Sequence, residues 1–567
     1  MTLKLEAIFK KLSLNTWALI CIFLVTCAMM LPMAQMGIPD GFDLLQHVRF
    51  ADAYHDAISS GDLVPAWAAN DNFGFGSIGI RYYPPLAYIL LALTKMLVGT
   101  WYDSFWINSF FWMFLGCAGV YFWAREWLNE PRAFFASLLY AIAPYHTFQI
   151  YQAVLFAEFA ASAIIPFCFL FLTRLCRTRS RLDTLLFSIS LSLLILTHIP
   201  STIIGCIGMG VYAILIIDRS KIFSTSRHLI TAFIASLAST AFHWMKLVTE
   251  MNWVMHNSPQ YSSSGFYDYQ RYFFPIYLIS PSQRYVEKEF WQLDTMIAIT
   301  ILFAIPSIIF LGVKKWRKDD GSLAWRQHLP VFLTGVFSIF MLSIASSLVW
   351  KYVPILPKLQ FPWRWLLVAT AVAPVSFVIA LSKLMPGRRI LSRGSVYLNI
   401  SFVLCLAFFA ITQNIIPSLP LERRVFEGKV SGMNDVEACP CWWPIWANSA
   451  AFIAAEKVTA GSRGVTVASW KSETRSFVVE AGEVNEARIA TFYHPYWKAA
   501  VNGVETAVSK DDSGVLLVSI PAESAEVWLT FREPFPIRAA KVVSLVSWLI
   551  IVFGVAMMIK IRRRGLL

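Results

Sequence analysis

Charge is what this chain has least of: Asp, Glu, Lys and Arg make up 15% of its 567 residues, against about 25% in an ordinary soluble protein. It has no Walker loop, no dinucleotide glycine fingerprint and no His-Glu-x-x-His helix, so neither nucleotide chemistry nor a zinc protease is indicated and no nucleotide cofactor is expected. Nine Cys are too sparse for a disulfide-stapled scaffold, and 27 Gly with 27 Pro are too few for a fibrous or disordered chain. What fills the space is apolar: 57% of the residues are hydrophobic, more than one soluble core can hide. Runs such as 17–35 and 329–350 carry no charge at all and are long enough to cross a hydrocarbon core of roughly 30 Å.

The net charge of +13 would suggest nucleic acid in a soluble protein, but the positive residues sit in short loops, so no nucleic-acid partner is expected. Lys and Arg cluster at 4–11, 125–132, 174–181, 219–227, 314–326, 388–393 and 560–564, and the positive-inside rule places all of these in the cytoplasm. No small-residue cleavage site follows the basic start, so the first apolar run reads as an uncleaved span. The expected architecture is an all-α polytopic membrane protein with both termini cytoplasmic. About twelve spans are expected, at 15–34, 103–124, 132–149, 153–173, 183–198, 200–217, 228–248, 295–313, 329–350, 364–384, 396–412 and 539–559. The apolar stretch 84–99, opened by Pro84-Pro85 and carrying Lys95, reads as an in-plane or re-entrant helix inside a long first external loop, 35–102. Residues 1–412 thus form the membrane module and 539–567 a last helix with a basic tail. Between them, 413–538 regains charge and strand-like alternation, broken by turns such as Asn502-Gly503, as expected of a small external β-sandwich.

The polar residues not explained as loop charges gather at the external ends of spans. Asp43 and His47, four apart, share a face of any helix they occupy and are placed to hold one proton, one metal ion or one sugar hydroxyl. The plainer reading is that Asp43 caps an amphipathic surface helix and His47 is solvated. Arg81 suits a phosphate or simple snorkelling. Glu158, among Phe156, Ala157, Phe159 and Ala160, is costly in hydrocarbon and must face a cavity or a partner. His146 and His198 end neighbouring spans and fit either a site or plain hydrogen bonding. Arg364, between Trp363 and Trp365, is either a lipid-phosphate grip or an interfacial anchor. Cys439-Pro-Cys441 reads as a poor local disulfide with a structural or incidental role.

Those same residues carry a resemblance. The order Asp43-Leu44-Leu45-Gln46-His47, Gly61-Asp62-Leu63-Val64-Pro65 with Trp67, Tyr82-Tyr83-Pro84-Pro85-Leu86, Ala143-Pro144-Tyr145-His146 with Glu158, and Gln360-Phe361-Pro362-Trp363-Arg364 resembles the bacterial 6-pyruvoyl-tetrahydropterin synthase-related and YfhO-type membrane proteins, which belong with the GT-C glycosyltransferases. His494-Pro495-Tyr496-Trp497-Lys498 with Asn502-Gly503 is similar to the YfhO-type carboxyl-terminal region. The resemblance implies a GT-C-like enzyme of the bacterial cytoplasmic membrane that moves a sugar from a polyprenyl-phosphate donor to a glycan or lipid acceptor at the external face. It matches Asp43 to an acidic residue near the active site, with Glu158 the nearest match to a further one; their chemistry and placement add His47 as a catalytic partner of Asp43, and Asp40, Arg81, Tyr82, His146, His198 and Arg364 as expected substrate-binding residues. The first loop has only Asp40-x-x-Asp43 where relatives carry closer acidic pairs, which leaves a divalent metal open. A transporter or flippase, or a non-catalytic assembly protein for lipid-linked glycans, is the alternative; ionisable groups at one face and the lack of an internal repeat favour the enzyme.

Overall fold

The computed structural model describes residues 13–275, 288–316, 323–384, 403–453 and 456–564. The basic stretches 4–11 and 388–393, part of 314–326, and the start of the span expected at 396–412 lie outside the described residues. The first half is built of α1 (Leu14–Met36), α2 (Leu44–Ser59), α3 (Leu86–Val98), α4 (Trp101–Ala124), α5 (Glu130–Ala141), α6 (Pro144–Tyr151), α7 (Phe156–Thr178), α8 (Arg181–Ile195), α9 (Ile199–Ile216), α10 (Ile222–Ser239) and α11 (Ala241–Glu250). After it come α12 (Lys288–Leu302), α13 (Ile305–Trp316), α14 (Leu323–Leu342), α15 (Leu366–Leu384), α16 (Val403–Ile415), α17 (Arg423–Ser431) and α18 (Phe535–Arg563).

Seven helical stretches among the described residues are long and apolar enough to cross a membrane, and they coincide with seven of the expected spans. Four of the other five expected spans are short or broken, and the fifth, 396–412, begins outside the described residues. The stretch 132–149 divides into α5 and α6 because Pro144 lacks an N–H and drives Ala143 to an extended ψ of 131°. The stretch 329–350 breaks at Ser343, where Phe274 inserts, donating its N–H to Leu342 O and accepting from Ile344 N–H at 3.0 Å each. The stretch 228–248 breaks at Thr240, α8 has 15 residues, and α16 ends in a π turn, Ile411–Ile415. The stretch 84–99 becomes α3, 13 residues long, closed by Gly99 at φ +85°. Thr100 caps α4 by accepting from Asp103 N–H.

Helices α7 and α15 stand at the centre, the most enclosed of the long apolar helices. Helix α7 opens with Ala157, Ala160, Ala161, Ser162 and Ala163, and α4 answers with Gly116 and Gly119; a Cβ on Gly116 would lie 3.1 Å from Ala163 Cα. Small residues on both sides let the backbones approach, the device that packs helices where the solvent is itself apolar.

A short pair, β1 (Ile38–Pro39) with β2 (Pro420–Leu421), ties the end of α1 to the segment after α16. The remaining strands are β3 (Val458–Thr459), β4 (Val465–Trp470), β5 (Thr474–Val479), β6 (Glu486–Phe492), β7 (Trp497–Val501), β8 (Val504–Thr506), β9 (Val508–Lys510), β10 (Val515–Ser519) and β11 (Ala525–Phe531). They form two antiparallel sheets, ordered β3-β6-β10-β9 and β4-β5-β11-β7-β8. In β11, Val527, Leu529 and Phe531 are buried while Glu526 and Trp528 face outward, the period-two pattern that fixes register. The β7–β8 hairpin turns on Asn502-Gly503, both at positive φ, the chemistry a two-residue turn requires.

The β-domain is seated on the segment between α2 and α3. Trp67 packs against Trp497 at 5.5 Å and Phe531 at 5.8 Å, and Phe75 O accepts from Phe492 N–H at 3.0 Å. Glu473 accepts from Ala66 N–H at 2.6 Å. Asn72, held at φ +56°, accepts from Ala438 N–H and Trp443 Nε1–H, which draws the 436–443 segment against the same surface.

Candidate active site

A cavity of about 900 Å3 lies where α2, the start of α9, the loops 251–272 and 358–364, and the segment 436–442 meet. Asp43 is on its wall. It precedes the first turn of α2, yet its carboxylate caps no N–H and makes no hydrogen bond among the described residues. It is exposed to the cavity although protein encloses it, and this desolvation raises its pKa; nearby Arg364 opposes the rise and Glu158 adds to it. The loop bearing Asp43 presses on the one before α7: a Cβ on Gly41 would lie 2.4 Å from Val154 Cγ2. Only glycine permits that approach.

Glu158 sits in the first turn of α7, 2% exposed. Arg364 Nε donates to its Oε2 at 3.0 Å, Gln149 Nε2 donates to Oε1 at 3.2 Å, and the Tyr145 hydroxyl also donates to Oε1. The carboxylate that was costly in hydrocarbon is therefore paired, with three donors around it. Arg364 is held in turn by Nη1, which donates to Leu359 O at 2.6 Å and to Gln360 Oε1 at 3.4 Å. Its Nη2 makes no hydrogen bond among the described residues, and Arg364 lines the cavity. A guanidinium so anchored presents one free NH2 group in a fixed direction.

His47 reaches the cavity wall but does not share a proton with Asp43. Its Nε2 accepts from Phe156 N–H at 3.2 Å and its Nδ1 lies 2.8 Å from the Tyr88 hydroxyl. An acceptor at Nε2 means a neutral ring, and burial accordingly lowers its pKa to about 3. The two nitrogens thus tie α2 to the start of α7 and to α3. His198 lines the cavity with Nδ1 2.7 Å from Ser201 Oγ, and Tyr82 lines it while donating to Glu250 O at 3.3 Å.

Of the expected site residues, Glu158 stands behind Arg364 without lining the cavity itself, and three more are placed elsewhere. Asp40 pairs with Lys429 at 2.6 Å. His146 is buried against Tyr140, with Nδ1 3.3 Å from Gln149 Oε1. Arg81 is fully buried and its donors are taken: Nε and Nη2 by Glu250 at 2.9 to 3.0 Å, Nη1 by Glu533 at 2.7 Å, with Tyr496 and Phe531 stacked on the guanidinium. Each of its three nitrogens is thus engaged, and the residue is not on the cavity wall. Nor is the cysteine pair incidental: a 3₁₀ turn brings Cys439 and Cys441 to a Cα separation of 5.2 Å, within disulfide range, and they are bonded and line the cavity. The three His or carboxylate ligand atoms that converge within 4.8 Å among the described residues belong to Asp52, His55 and Asp56, none of which lines the cavity.

Sequence reasoning missed Arg49, Gln360 and Trp442. Arg49, a charge in the amphipathic stretch 44–51, and Gln360, at φ +66° and within the segment ending at Arg364, were signals in hand; Trp442, stacked on His256 at 4.6 Å, gave none.

The model of the family described as 6-pyruvoyl-tetrahydropterin synthase related domain, membrane protein, matches residues 80–419. No curated protein matches the chain. Among solved structures, the chain is similar to arabinofuranosyltransferase AftD from Mycobacteria, with a TM-score of 0.42 and 16% identity over 71% of this chain and 27% of that one. It is similar to ArnT from Cupriavidus metallidurans bound to undecaprenyl phosphate, with a TM-score of 0.41 and 13% identity over 74% and 68%. It is also similar to the oligosaccharyltransferase of Archaeoglobus fulgidus in the apo form, with a TM-score of 0.38 and 11% identity over 77% and 57%. The chain thus spans about a quarter of the length of the first and just over half of the third.

Proposed function

The chain belongs to the 6-pyruvoyl-tetrahydropterin synthase related family of membrane proteins, and from that premise we propose that it is a glycosyltransferase that moves a sugar from a polyprenyl-phosphate donor to a glycan or lipid acceptor at the membrane face opposite the basic loops. The observation that carries this reading is Asp43: an unbonded carboxylate on a cavity wall, with its pKa raised by desolvation and the anchored Glu158–Arg364 pair beside it. Asp43 takes the proton from an acceptor hydroxyl as that oxygen bonds to the sugar carbon. The bond from that carbon to the phosphate oxygen breaks and its electron pair stays on the phosphate, whose charge Arg364 Nη2 offsets. Glu158 fixes the guanidinium and does not itself react. Trp363, stacked on Phe361 at 4.2 Å, offers the cavity an aromatic surface suited to a sugar face.

The test is transfer of radiolabel from a panel of polyprenyl-phosphate sugars by the purified protein in nanodiscs, with envelope lipid and polysaccharide as acceptors. Native protein transfers label and folded Asp43→Asn does not. Full transfer by Asp43→Asn removes Asp43 from the mechanism, and label crossing the bilayer still on its carrier marks a transporter instead.

A further inference from the structure

Resting on that reading, and naming a second substrate feature of the same site, we propose that Arg49 makes the cavity selective for a second oxyanion, a phosphate or carboxylate on the acceptor or on the transferred sugar, apart from the donor phosphate at Arg364. Arg49 lines the cavity from α2 and is 4% exposed. Its guanidinium makes no hydrogen bond among the described residues, and Nη1 is buried without a partner. Among the described residues its one ion pair is a loose one: Asp71 Oδ1 stands 4.0 Å from Nη1, beyond hydrogen-bond reach, while Ser77 Oγ donates to Asp71 Oδ2 at 2.6 Å.

A guanidinium withdrawn from water without a hydrogen-bonded partner is costly, and such a charge is retained where something completes it. Arg364 shows what a completed one looks like here, with a carboxylate on Nε and a carbonyl on Nη1. With Nη1 buried beside Asp71, the remaining N–H groups of this planar fork on a cavity wall suit a planar carboxylate or two phosphate oxygens.

The experiment uses the full chain in nanodiscs preloaded with a polyprenyl phosphate, so that the donor position is filled. Thermal unfolding is followed while sodium phosphate is titrated against sodium chloride at equal ionic strength. The native protein is stabilised by phosphate, and Arg49→Gln responds with at least about tenfold weaker apparent affinity, the loss expected for a charge-assisted hydrogen bond. Arg49→Lys falls between them. Arg49→Gln also removes the 4.0 Å contact with Asp71, so each variant's response is read against its own phosphate-free Tm. The proposal is overturned if preloaded native protein has no phosphate-specific response, which would make the donor phosphate the sole anion, or if Arg49→Gln responds as the native protein does. Binding is read without turnover, so failure here leaves glycosyl transfer standing, and failure of transfer leaves this measurement valid.

Discussion

Arg81 was expected at a substrate phosphate and is found instead in a buried charge network, and its replacement by Met separates the two roles. The network joins three parts of the chain: Arg81 from the segment before α3, Glu250 from the end of α11, and Glu533 from the link between β11 and α18. Glu533 also pairs with Lys541 at 2.6 Å and Lys246 at 3.6 Å, and Tyr496 donates to Glu250 at 3.1 Å. Removing one partner of a buried pair costs about 3–5 kcal/mol, because the other charge is left unpaired. In Arg81→Met that charge is Glu250, fully enclosed and then without a cation in contact. At about 1.4 kcal/mol per decade the undocked population rises by between two and nearly four orders of magnitude. Limited proteolysis within the β-domain reads that population when reclosing outpaces cleavage. Arg81→Met/Glu250→Met removes both charges and leaves Glu533 with its two lysines, so cleavage returns to within about tenfold of native, since apolar replacement of a whole buried pair is often neutral. The docking role is refuted if Arg81→Met is cleaved no faster than native, or if the double variant is worse than the single one. Native-like cleavage with lost polyprenyl-phosphate binding would return Arg81 to the phosphate.

The pH dependence of transfer carries the signature of Asp43, which must be ionised to act. Desolvation raises its pKa, so the acid limb of kcat/KM lies above the range of an ordinary aspartate; Glu158→Gln removes a negative neighbour and moves the limb to lower pH, whereas a stationary or rising limb assigns it to another group. Stability follows the same sign. With the folded pKa above the unfolded one, ionised Asp43 costs stability above its folded pKa, and that cost fades as pH falls toward the unfolded value. Asp43→Asn therefore raises Tm at alkaline pH by an amount that shrinks on acidification, and an unchanged Tm across the range would contradict the desolvation. Alkylation of the denatured, unreduced protein labels the seven free cysteines, and prior reduction adds Cys439 and Cys441; labelling of all nine without reduction would remove the disulfide.

The long helices were legible because a charge-free run of about twenty residues has few other uses. The division of 132–149 was legible too, since Pro144 stood in the run, but hydropathy outweighed it. Individual polar residues were found and their partners were not. Arg364 meets Glu158 across 206 positions, and Arg81 meets Glu250 across 169 and Glu533 across 452. Spacing along one helix brought Asp43 and His47 together on paper; contacts from α7 and α3 pulled His47 away, to Phe156 and Tyr88. A local pattern identifies which side chains are expensive to bury, and only the tertiary structure decides what repays each one.

Two strained residues flank the Glu158–Arg364 pair, and both bear on its alignment. Val154 holds φ +52°, a left-handed conformation that a β-branched side chain adopts at a cost of about 1–3 kcal/mol, two residues before α7 begins. Gln360 holds φ +66° and ψ −49°, closing a γ-turn in which Phe361 N–H reaches Leu359 O at 2.7 Å. Its side chain bridges two elements, donating to Tyr261 O at 2.9 Å and accepting from Arg364 Nη1. Were Val154 to relax, the entry into the first turn of α7 would change, moving the Phe156 N–H that His47 accepts and the Glu158 carboxylate two residues beyond it. Were Gln360 to relax, Arg364 would lose the carbonyl and amide that aim Nη2 into the cavity. The strain sits at the two places where relaxation would separate the carboxylate of one segment from the guanidinium of another, and so is best understood as part of what keeps Arg364 aligned beside Asp43.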